Sequence, residues 1–290
     1  MYSTCIAMPF LPRVLPALLV LPAMLAHPHV ATAQSAGPPV EERRTLRVAG
    51  VDRSYLIFSP STRRADHPLP LVLVVHGAGA TPRGMARHTG FSALAEREGF
   101  VVVYPEGIDR RWNDGRGYGV PHDDVAFIRA LLDTVGHRLA IDPRRIYATG
   151  ISNGAMFTYR LACDMPGVFA AIAPVAGAVP DTLAATCTHG TPLSLAAFQG
   201  TADRLIPYQG GGVVRRRGRV LSATASAGMW AETDGCTGDP TVTMEPDRAP
   251  SDGMRVMRTA YTGCNTGLDV ELYTIEGGGH TWPGGPASGP

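Results

Sequence analysis

Short apolar runs alternate with amphipathic segments along most of this chain. The apolar runs predict buried strands at residues 53–58, 71–75, 100–104, 145–149, 169–174, 193–198, 254–261 and 268–275. Apolar residues at helical spacing predict helices at residues 91–98, 123–138, 155–163 and 223–231. Strands that alternate with helices in this way form a mostly parallel sheet with helices on both faces. The pattern therefore predicts an α/β fold.

Two polar segments interrupt this alternation. Residues 34–44 are polar and contain Pro38 and Pro39, so we predict a lead-in that lies outside the core. Residues 238–253 are rich in Pro, Asp and Gly, and this composition predicts a surface loop.

The first 33 residues have the features of a secretory signal peptide. A single charged side chain, Arg13, precedes an apolar run at residues 14–26, and small side chains follow just before Ala33. The run is short for a bilayer-spanning helix, so a retained membrane anchor is the less favoured alternative. We predict cleavage after Ala33, export to the periplasm or the extracellular space, and a single catalytic domain over residues 34–290.

The composition fits an exported globular protein. The chain has 290 residues, of which 44% are hydrophobic, and a formal net charge of +1. This is enough for one large core and gives no electrostatic reason to expect a nucleic-acid partner. All 26 basic residues are arginine. The lack of lysine excludes a Walker A phosphate loop, a Ser-Lys dyad and a lysine Schiff base.

Removal of the leader discards Cys5 and leaves an even number of cysteines. An even set suits disulfides in an oxidising compartment. The spacing lacks the closely paired pattern of zinc ligands, so no metal is expected. Of the possible pairings we favour the two that are nearest in sequence, Cys163–Cys187 and Cys236–Cys264.

A serine lies where a predicted strand meets a predicted helix, in the motif Gly150-Ile151-Ser152-Asn153-Gly154. A sharp turn at this junction exposes the serine, and the flanking glycines leave room for the helix to pack on the sheet. The free N–H groups at the start of the helix point toward the group that the serine attacks. Ser152 is therefore the candidate nucleophile, although so short a motif also arises by chance.

A serine nucleophile needs a base and an acid that orients the base. Asp203 follows the predicted strand 193–198, and His280 follows the predicted strand 268–275. The carboxyl ends of parallel strands meet at one edge of the sheet, and the exposed serine is expected at the same edge. We predict Asp203 as the acid and His280 as the base. The alternative for Asp203 is a turn or a helix cap, and the alternative for His280 is a loop histidine without a catalytic role. The other histidines lie in a predicted helix or in polar loops and are weaker candidates: His137, His67, His88, His122 and His189.

Two backbone N–H groups are expected to bind the developing oxyanion. One belongs to Asn153, directly after the serine. The other comes from the loop after the strand at residues 71–75, where we favour Ala78. His76 in the same loop is interpreted as structural, shaping the loop through ring hydrogen bonds.

These residues belong to an ordered series of motifs, and the resemblance they carry covers the chain from about Thr45 onward. The series comprises His76-Gly77, Tyr104-Pro105-Glu106-Gly107, Arg111-Trp112-Asn113, Asp123-Asp124-Val125, Gly150-Ile151-Ser152-Asn153-Gly154, Gly200-Thr201-Ala202-Asp203 and Gly278-Gly279-His280-Thr281-Trp282-Pro283. Together they resemble the polyhydroxybutyrate depolymerase and feruloyl esterase family, also grouped with family 1 carbohydrate esterases.

The resemblance implies an α/β-hydrolase fold and a triad of Ser152, Asp203 and His280. It also implies secreted hydrolysis of carboxylic esters, in a polyester or its hydroxyalkanoate oligomers or in a feruloylated plant polysaccharide, without a metal or cofactor. No nucleic acid and, after processing, no membrane is expected as a partner. The chain departs from the family in one respect, because it stops at Pro290 before a final helix; a C-terminal truncation is one interpretation.

Trp112 and Trp282 are candidate substrate contacts, because a flat aromatic ring offers an apolar face to a polyester, a ferulate ring or a sugar. Ordinary packing is the alternative for both. The arginine-rich run at residues 215–219 is typical of a solvated loop, and contact with an acidic polysaccharide is the less favoured interpretation.

Two other functions remain open at this point. A serine acyltransferase or peptidase would share the triad and the fold. A non-catalytic polymer-binding domain with a vestigial site would share only the fold, and the presence of all three triad candidates argues against it.

Overall fold

The computed structural model describes residues 38–64, 66–117, 121–187 and 191–285. The predicted signal peptide with its cleavage site after Ala33, and also His189, lie outside these ranges. The predicted strands and helices all occur within them, with ends shifted by a few residues.

Ten strands form one sheet in the order β1-β2-β4-β3-β5-β6-β7-β12-β11-β10, and β8 pairs with β9 in a separate hairpin. The strands are β1 (Val40–Val48), β2 (Val51–Ser59), β3 (Leu69–Val75), β4 (Val101–Pro105), β5 (Ile141–Ile151), β6 (Ala171–Val175), β7 (Ser194–Gly200), β8 (Gly211–Gly212), β9 (Arg219–Val220), β10 (Gly238–Met244), β11 (Arg255–Thr262) and β12 (Val270–Glu276).

The central strands of the sheet are parallel and its edges are antiparallel. Strands β4, β3, β5, β6, β7 and β12 run in one direction. The pairs β1–β2 and β2–β4 at one edge, and β12–β11 and β11–β10 at the other, are antiparallel. The expected α/β fold with a mostly parallel sheet, as in α/β-hydrolases, is confirmed.

The helices cover both faces of the sheet: α1 (Pro82–Thr89), α2 (Phe91–Glu98), α3 (Asp124–Arg138), α4 (Asn153–Asp164), α5 (Asp181–Ala184) and α6 (Ala223–Thr233). Alternation along β3 sends Leu73 into the cluster beneath α3, α4 and α6, and Val74 into the cluster beneath α1 and α2. Both faces are therefore buried, which explains why the central strands are apolar without a break. Within the described ranges, no helix combines the length and apolar character that a membrane crossing requires.

The two polar segments were wrongly predicted to lack regular structure. Part of the supposed lead-in belongs to β1, whose residues alternate between exposed and half-buried. The supposed loop at residues 238–253 contains β10, which is exposed along its whole length. An antiparallel edge strand has one neighbour and one solvated face, so it forms without an apolar run.

The disulfides are Cys163–Cys187 and Cys236–Cys264, the pairing favoured from the sequence. The first links the last turn of α4 to the segment after α5, and the second links the segments after α6 and β11. Each closes a loop whose constraint on the unfolded chain contributes about 3 kcal/mol. Two disulfides fit a protein that matures in an oxidising compartment.

Candidate active site

Ser152 forms a sharp elbow between β5 and α4. Its backbone has φ 61° and ψ −121°, a conformation that is strained for a residue with a side chain. Two hydrogen bonds hold the elbow: Ser152 N–H donates to Val175 O over 3.0 Å, and Met156 N–H donates to Ser152 O over 3.0 Å. The expected strand-turn-helix arrangement around the serine is present.

The glycines on either side of Ser152 allow α4 to approach the sheet closely. A Cβ atom on Gly150 would lie 2.7 Å from Gly154 O, and one on Gly154 would lie 2.5 Å from Val75 O. Carbon and oxygen do not approach this closely, so any larger residue would push α4 away from the end of β3.

Asp203 and His280 meet because β7 and β12 are neighbours in the sheet. His280 Nδ1 lies 2.7 Å from Asp203 Oδ2. The other carboxylate oxygen accepts hydrogen bonds from the backbone N–H groups of Leu205 (2.8 Å) and Ile206 (2.9 Å). Gln199 Nε2 also donates to Asp203 Oδ2 over 3.2 Å. An imidazole whose Nδ1–H is held by a carboxylate keeps Nε2 available to accept a proton.

A cavity of about 880 Å³ brings Ser152 and His280 together with Ala78 and Asn153. Among the described residues, no hydrogen bond joins Ser152 Oγ to the imidazole. Such contacts are often long in the absence of substrate and tighten when it binds. The arrangement brings the three predicted triad residues to one edge of the sheet.

The two predicted oxyanion donors border this cavity. In the described part of the chain, neither the Ala78 N–H nor the Asn153 N–H has a backbone acceptor. The next residue after Ala78 fixes the loop, because Gly79 N–H donates to Arg110 O over 2.8 Å. A Cβ atom on Gly77 would lie 3.5 Å from Ser152 Cβ, so the loop lies beside the nucleophile. Two free N–H groups near a serine can stabilise a tetrahedral oxyanion.

His76 is a structural residue of this loop. Its buried ring places Nδ1 2.8 Å from Gly77 O, and Nε2 accepts from the Gly107 N–H over 3.0 Å. Burial lowers the pKa of His76, because the charged imidazolium is poorly solvated in the interior. The neutral ring with its proton on Nδ1 satisfies both hydrogen bonds.

The expectation that Trp112 binds substrate is wrong. Its ring is only 1% exposed and stacks on Phe157 with the ring centroids 5.0 Å apart. Its Nε1–H donates to His76 O over 2.9 Å, so Trp112 supports the loop after β3 from inside. Trp282 is half-buried and packs edge-on against Phe91. Within the described residues, Trp282 is not part of the cavity wall, so its contact with substrate stays a prediction.

The side chain of Asn153 has a structural role that the sequence does not reveal. Its Oδ1 accepts from the Trp112 N–H over 2.8 Å, and its Nδ2 donates to Trp112 O (3.0 Å) and Asp114 Oδ2 (2.6 Å). Asn153 therefore clamps the segment after β4 to the start of α4. The sequence motif around Trp112 marks this segment. The motif does not reveal the contact, because its hydrogen-bond partner Asn153 is distant in sequence.

A buried ion pair supports the same segment. Arg53 Nη2 lies 2.6 Å from Asp124 Oδ1, and the other oxygen of Asp124 accepts from the Asn113 N–H over 2.7 Å. The Arg53 guanidinium also lies 4.0 Å from the centre of the Phe127 ring. The sequence motif contains Asp124, but only the fold places it against Arg53.

His88 was wrongly assigned to a polar loop. It lies in the last turn of α1 and lines the same cavity as Ser152. In the described part of the chain, Asp203 pairs with His280 and no carboxylate orients His88. His280 therefore has the geometry of a base held by an acid, and His88 does not.

Comparison with known proteins places this chain among esterases. The family model described as esterase PHB depolymerase matches residues 53–189. The chain is 32% identical over 272 residues to "Putative esterase NocK" of Nocardia uniformis subsp. tsuyamanensis, covering 85% of this chain and 78% of that protein.

Two further proteins extend the comparison. "Feruloyl esterase B" of Piromyces equi is 27% identical over 79% of this chain, and the match spans only 42% of that protein. The solved structure of an acetyl xylan esterase from Aspergillus awamori superimposes with a TM-score of 0.61 at 17% identity, covering 83% of this chain and 95% of that one. This last likeness concerns the fold alone.

Proposed function

Because the chain belongs to the esterase PHB depolymerase family and is thus a carboxylic ester hydrolase, we propose that Ser152 is its catalytic nucleophile. His280 Nε2 takes the hydroxyl proton while Ser152 Oγ attacks the ester carbonyl. The N–H groups of Ala78 and Asn153 bind the resulting oxyanion. His280 then passes the proton to the leaving alcohol, which leaves an acyl-enzyme.

The second half of the reaction reverses these roles. Water loses a proton to His280 and attacks the acyl carbonyl, and the same N–H groups bind the second oxyanion. Collapse releases the carboxylic acid and returns the proton to Ser152 Oγ. Asp203 holds the ring in place throughout and stabilises the imidazolium.

One observation carries this proposal. A strained elbow serine, a histidine bound to a buried carboxylate at 2.7 Å, and two free backbone N–H groups converge on a single cavity. Each element alone occurs in many proteins for structural reasons. Their convergence supports the proposal, because a serine hydrolase needs these groups, of these residue types, around one site.

For the substrate, we propose short acyl esters and either methyl ferulate or soluble hydroxybutyrate oligomers. The family description names a PHB depolymerase, and one relative is named a feruloyl esterase. A cavity of about 880 Å³ can admit a single soluble chain or a small aryl ester. Chains in a crystalline polymer are packed against one another, so we expect poor clearing of crystalline polymer.

We also propose that the protein acts outside the cytoplasm after cleavage behind Ala33. The two disulfides support this location, because cytoplasmic thiols stay reduced. N-terminal sequencing of the exported protein tests the cleavage: the mature chain is expected to begin at Gln34, and a chain that begins at Met1 would contradict it.

A side-by-side assay tests the proposed reaction and substrates. The native protein is expected to hydrolyse para-nitrophenyl butyrate, methyl ferulate or hydroxybutyrate oligomers. Ser152→Ala should lower that turnover by about a thousandfold or more while the fold stays intact. Ser251→Ala is the matched control, because Ser251 is exposed and distant in sequence from each triad residue. Fast degradation of crystalline polymer without turnover of soluble esters would contradict the substrate proposal.

A further inference from the structure

Three arginines line the cavity beside Ser152, and among the described residues only one of them is paired with a carboxylate. Arg116 is paired with Asp114 at 2.7 Å, and both side chains are almost completely buried. Arg204 and Arg217 line the same cavity, and no described carboxylate pairs with either of them. The Nε atom of Arg217 is buried and has no hydrogen-bond partner among the described residues.

The loop at residues 213–218, here called the arginine loop, is tied to the catalytic side of the molecule. Val214 N–H donates to Leu205 O over 3.1 Å, which joins the loop to the turn that follows Asp203. Arg116 Nη1 donates to Arg217 O over 2.7 Å. Hydrogen bonds on both sides therefore fix the position of the loop at the cavity.

The backbone of the arginine loop separates its arginines into two groups. Arg215 and Arg216 have φ values of 58° and 56°, a left-handed conformation that is unfavourable for residues with a Cβ atom. Both are exposed and neither is in the described wall of the cavity. The chain turns back at these two residues, so the next side chain, Arg217, borders the cavity.

The charge of the cavity wall has one sign. Among the described residues that line the cavity, none is aspartate or glutamate, whereas Arg204 and Arg217 are cationic and unpaired. A cleft lined by one sign of charge concentrates ligands of the opposite sign. Arg217 is half-buried and Arg204 is exposed. A half-buried guanidinium without a partner, as in Arg217, is costly, and a bound anion would offset that cost.

We propose that this site prefers esters that carry a free carboxylate, and that Arg204 and Arg217 bind that carboxylate. The inference rests on the proposed function, because it names a class of substrate for the same Ser152. A guanidinium matches a carboxylate through two parallel N–H···O bonds. The carboxylate belongs to the acyl part or to the alcohol part of the ester, and the two sources are separated by experiment.

The kinetic test compares each carboxylate ester with a neutral counterpart of similar size. Para-nitrophenyl hydrogen adipate against para-nitrophenyl hexanoate places the charge on the acyl side. The hydroxybutyrate dimer against its methyl ester places the charge on the alcohol side. The measured quantity is the ratio of kcat/KM, charged over neutral, after each value is divided by the uncatalysed hydrolysis rate. We expect a ratio well above one in at least one pair.

Substitution identifies the source of the preference. The double variant Arg204→Gln with Arg217→Gln should lower the ratio by about tenfold or more, because two charge-assisted contacts are lost. Arg215→Gln with Arg216→Gln is the matched control: it also removes two charges, at exposed positions of the arginine loop outside the cavity wall. An unchanged ratio in the first double variant, or an equal fall in the control, would overturn the inference.

A binding measurement keeps this inference separate from the proposed reaction. In Ser152→Ala, calorimetric titration should show tighter binding of monoethyl adipate than of diethyl adipate, with the difference lost when both arginines are also replaced. Equal affinity within this pair, together with equal affinity for the hydroxybutyrate dimer and its methyl ester, would overturn the inference. Preferential binding of the monoester by Ser152→Ala, together with no hydrolysis of any ester by the native protein, would support the arginine site and contradict the proposed function.

Discussion

A buried aspartate lies beside each end of β7, and the two carboxylates have opposite surroundings. Asp203, after the carboxyl end, has four hydrogen-bond donors around its two oxygens. Asp234, beside the amino end, accepts a single hydrogen bond from the Leu193 N–H over 3.0 Å, and its other oxygen has no described partner. Burial raises the pKa of Asp234 to about 6, because its charged form is poorly solvated.

The comparison shows which of the two buried carboxylates suits the catalytic role that we propose for Asp203. The turn after β7 supplies two backbone N–H groups to Asp203, and the neighbouring β12 supplies His280. These donors offset the loss of water and fix the direction in which the carboxylate points. Asp234 lacks this compensation, so its burial weakens the fold when it is charged. Burial alone therefore does not distinguish a catalytic acid from a structural one.

The largest effect should follow from a substitution of the aspartate at the carboxyl end of β7. We predict that Asp203→Asn lowers kcat by about ten thousandfold, because the imidazole loses the acceptor that sets its tautomer and stabilises its charged form. Asp234→Asn, the same change at the other end of β7, should leave kcat unchanged. Steady-state kinetics with thermal melting measures both variants, and a similar loss of kcat in the two would remove the distinction between the two ends.

A third buried carboxylate sharpens the comparison, because Asp124 is compensated by a cation. We predict that Asp124→Ala lowers the free energy of unfolding by about 3–5 kcal/mol, since Arg53 is left charged and unpaired in the interior. The exposed pair Arg47–Asp52 is the control, and Asp52→Ala should cost about 1 kcal/mol or less. Denaturant unfolding measures both variants. Equal losses in the free energy of unfolding would show that the buried pair stabilises the fold no more than the exposed pair does.

The smallest predicted effect is a pH dependence at the amino end. The folded-state pKa of Asp234 is above its unfolded value, so its stabilising contribution is complete below about pH 4 and is lost as the pH rises to about 6. The loss is at most about 3 kcal/mol for a shift of this size. In Asp234→Asn, the free energy of unfolding should fall less over this range than in the native protein.

The matched control for this pH dependence is Asp239→Asn, which changes an exposed carboxylate on β10. It should retain the native pH dependence of unfolding between about pH 4 and pH 6. An identical pH dependence in the native protein and in Asp234→Asn would show that Asp234 is not the group responsible.

The central strands and the elbow could be predicted because their signals are local. Both faces of β3 and β4 are buried, so each leaves an unbroken apolar run. The elbow needs glycines at fixed positions around Ser152, and these are visible as a motif. Asp203 and His280 were selected as acid and base because each follows the end of a predicted strand.

The remaining features depend on contacts between distant segments. The edge strands β1 and β10 carry polar residues because solvent covers them, so their composition resembles that of loops. Trp112 is equally consistent with a substrate platform and with an interior support until the position of Phe157 is known. The separation of Arg217 from its exposed neighbours arises from two left-handed residues that no sequence pattern marks.

The central claim is that Ser152 is a nucleophile activated at the carboxyl edge of the sheet. The most direct measurement is labelling with a fluorophosphonate, followed by trypsin digestion and mass spectrometry. Cleavage after arginine places Ser152 in the peptide of residues 146–160, with no other serine in it. The account predicts one adduct on that peptide and none in Ser152→Ala. A native protein that stays unlabelled, or an adduct on a different peptide, would contradict it.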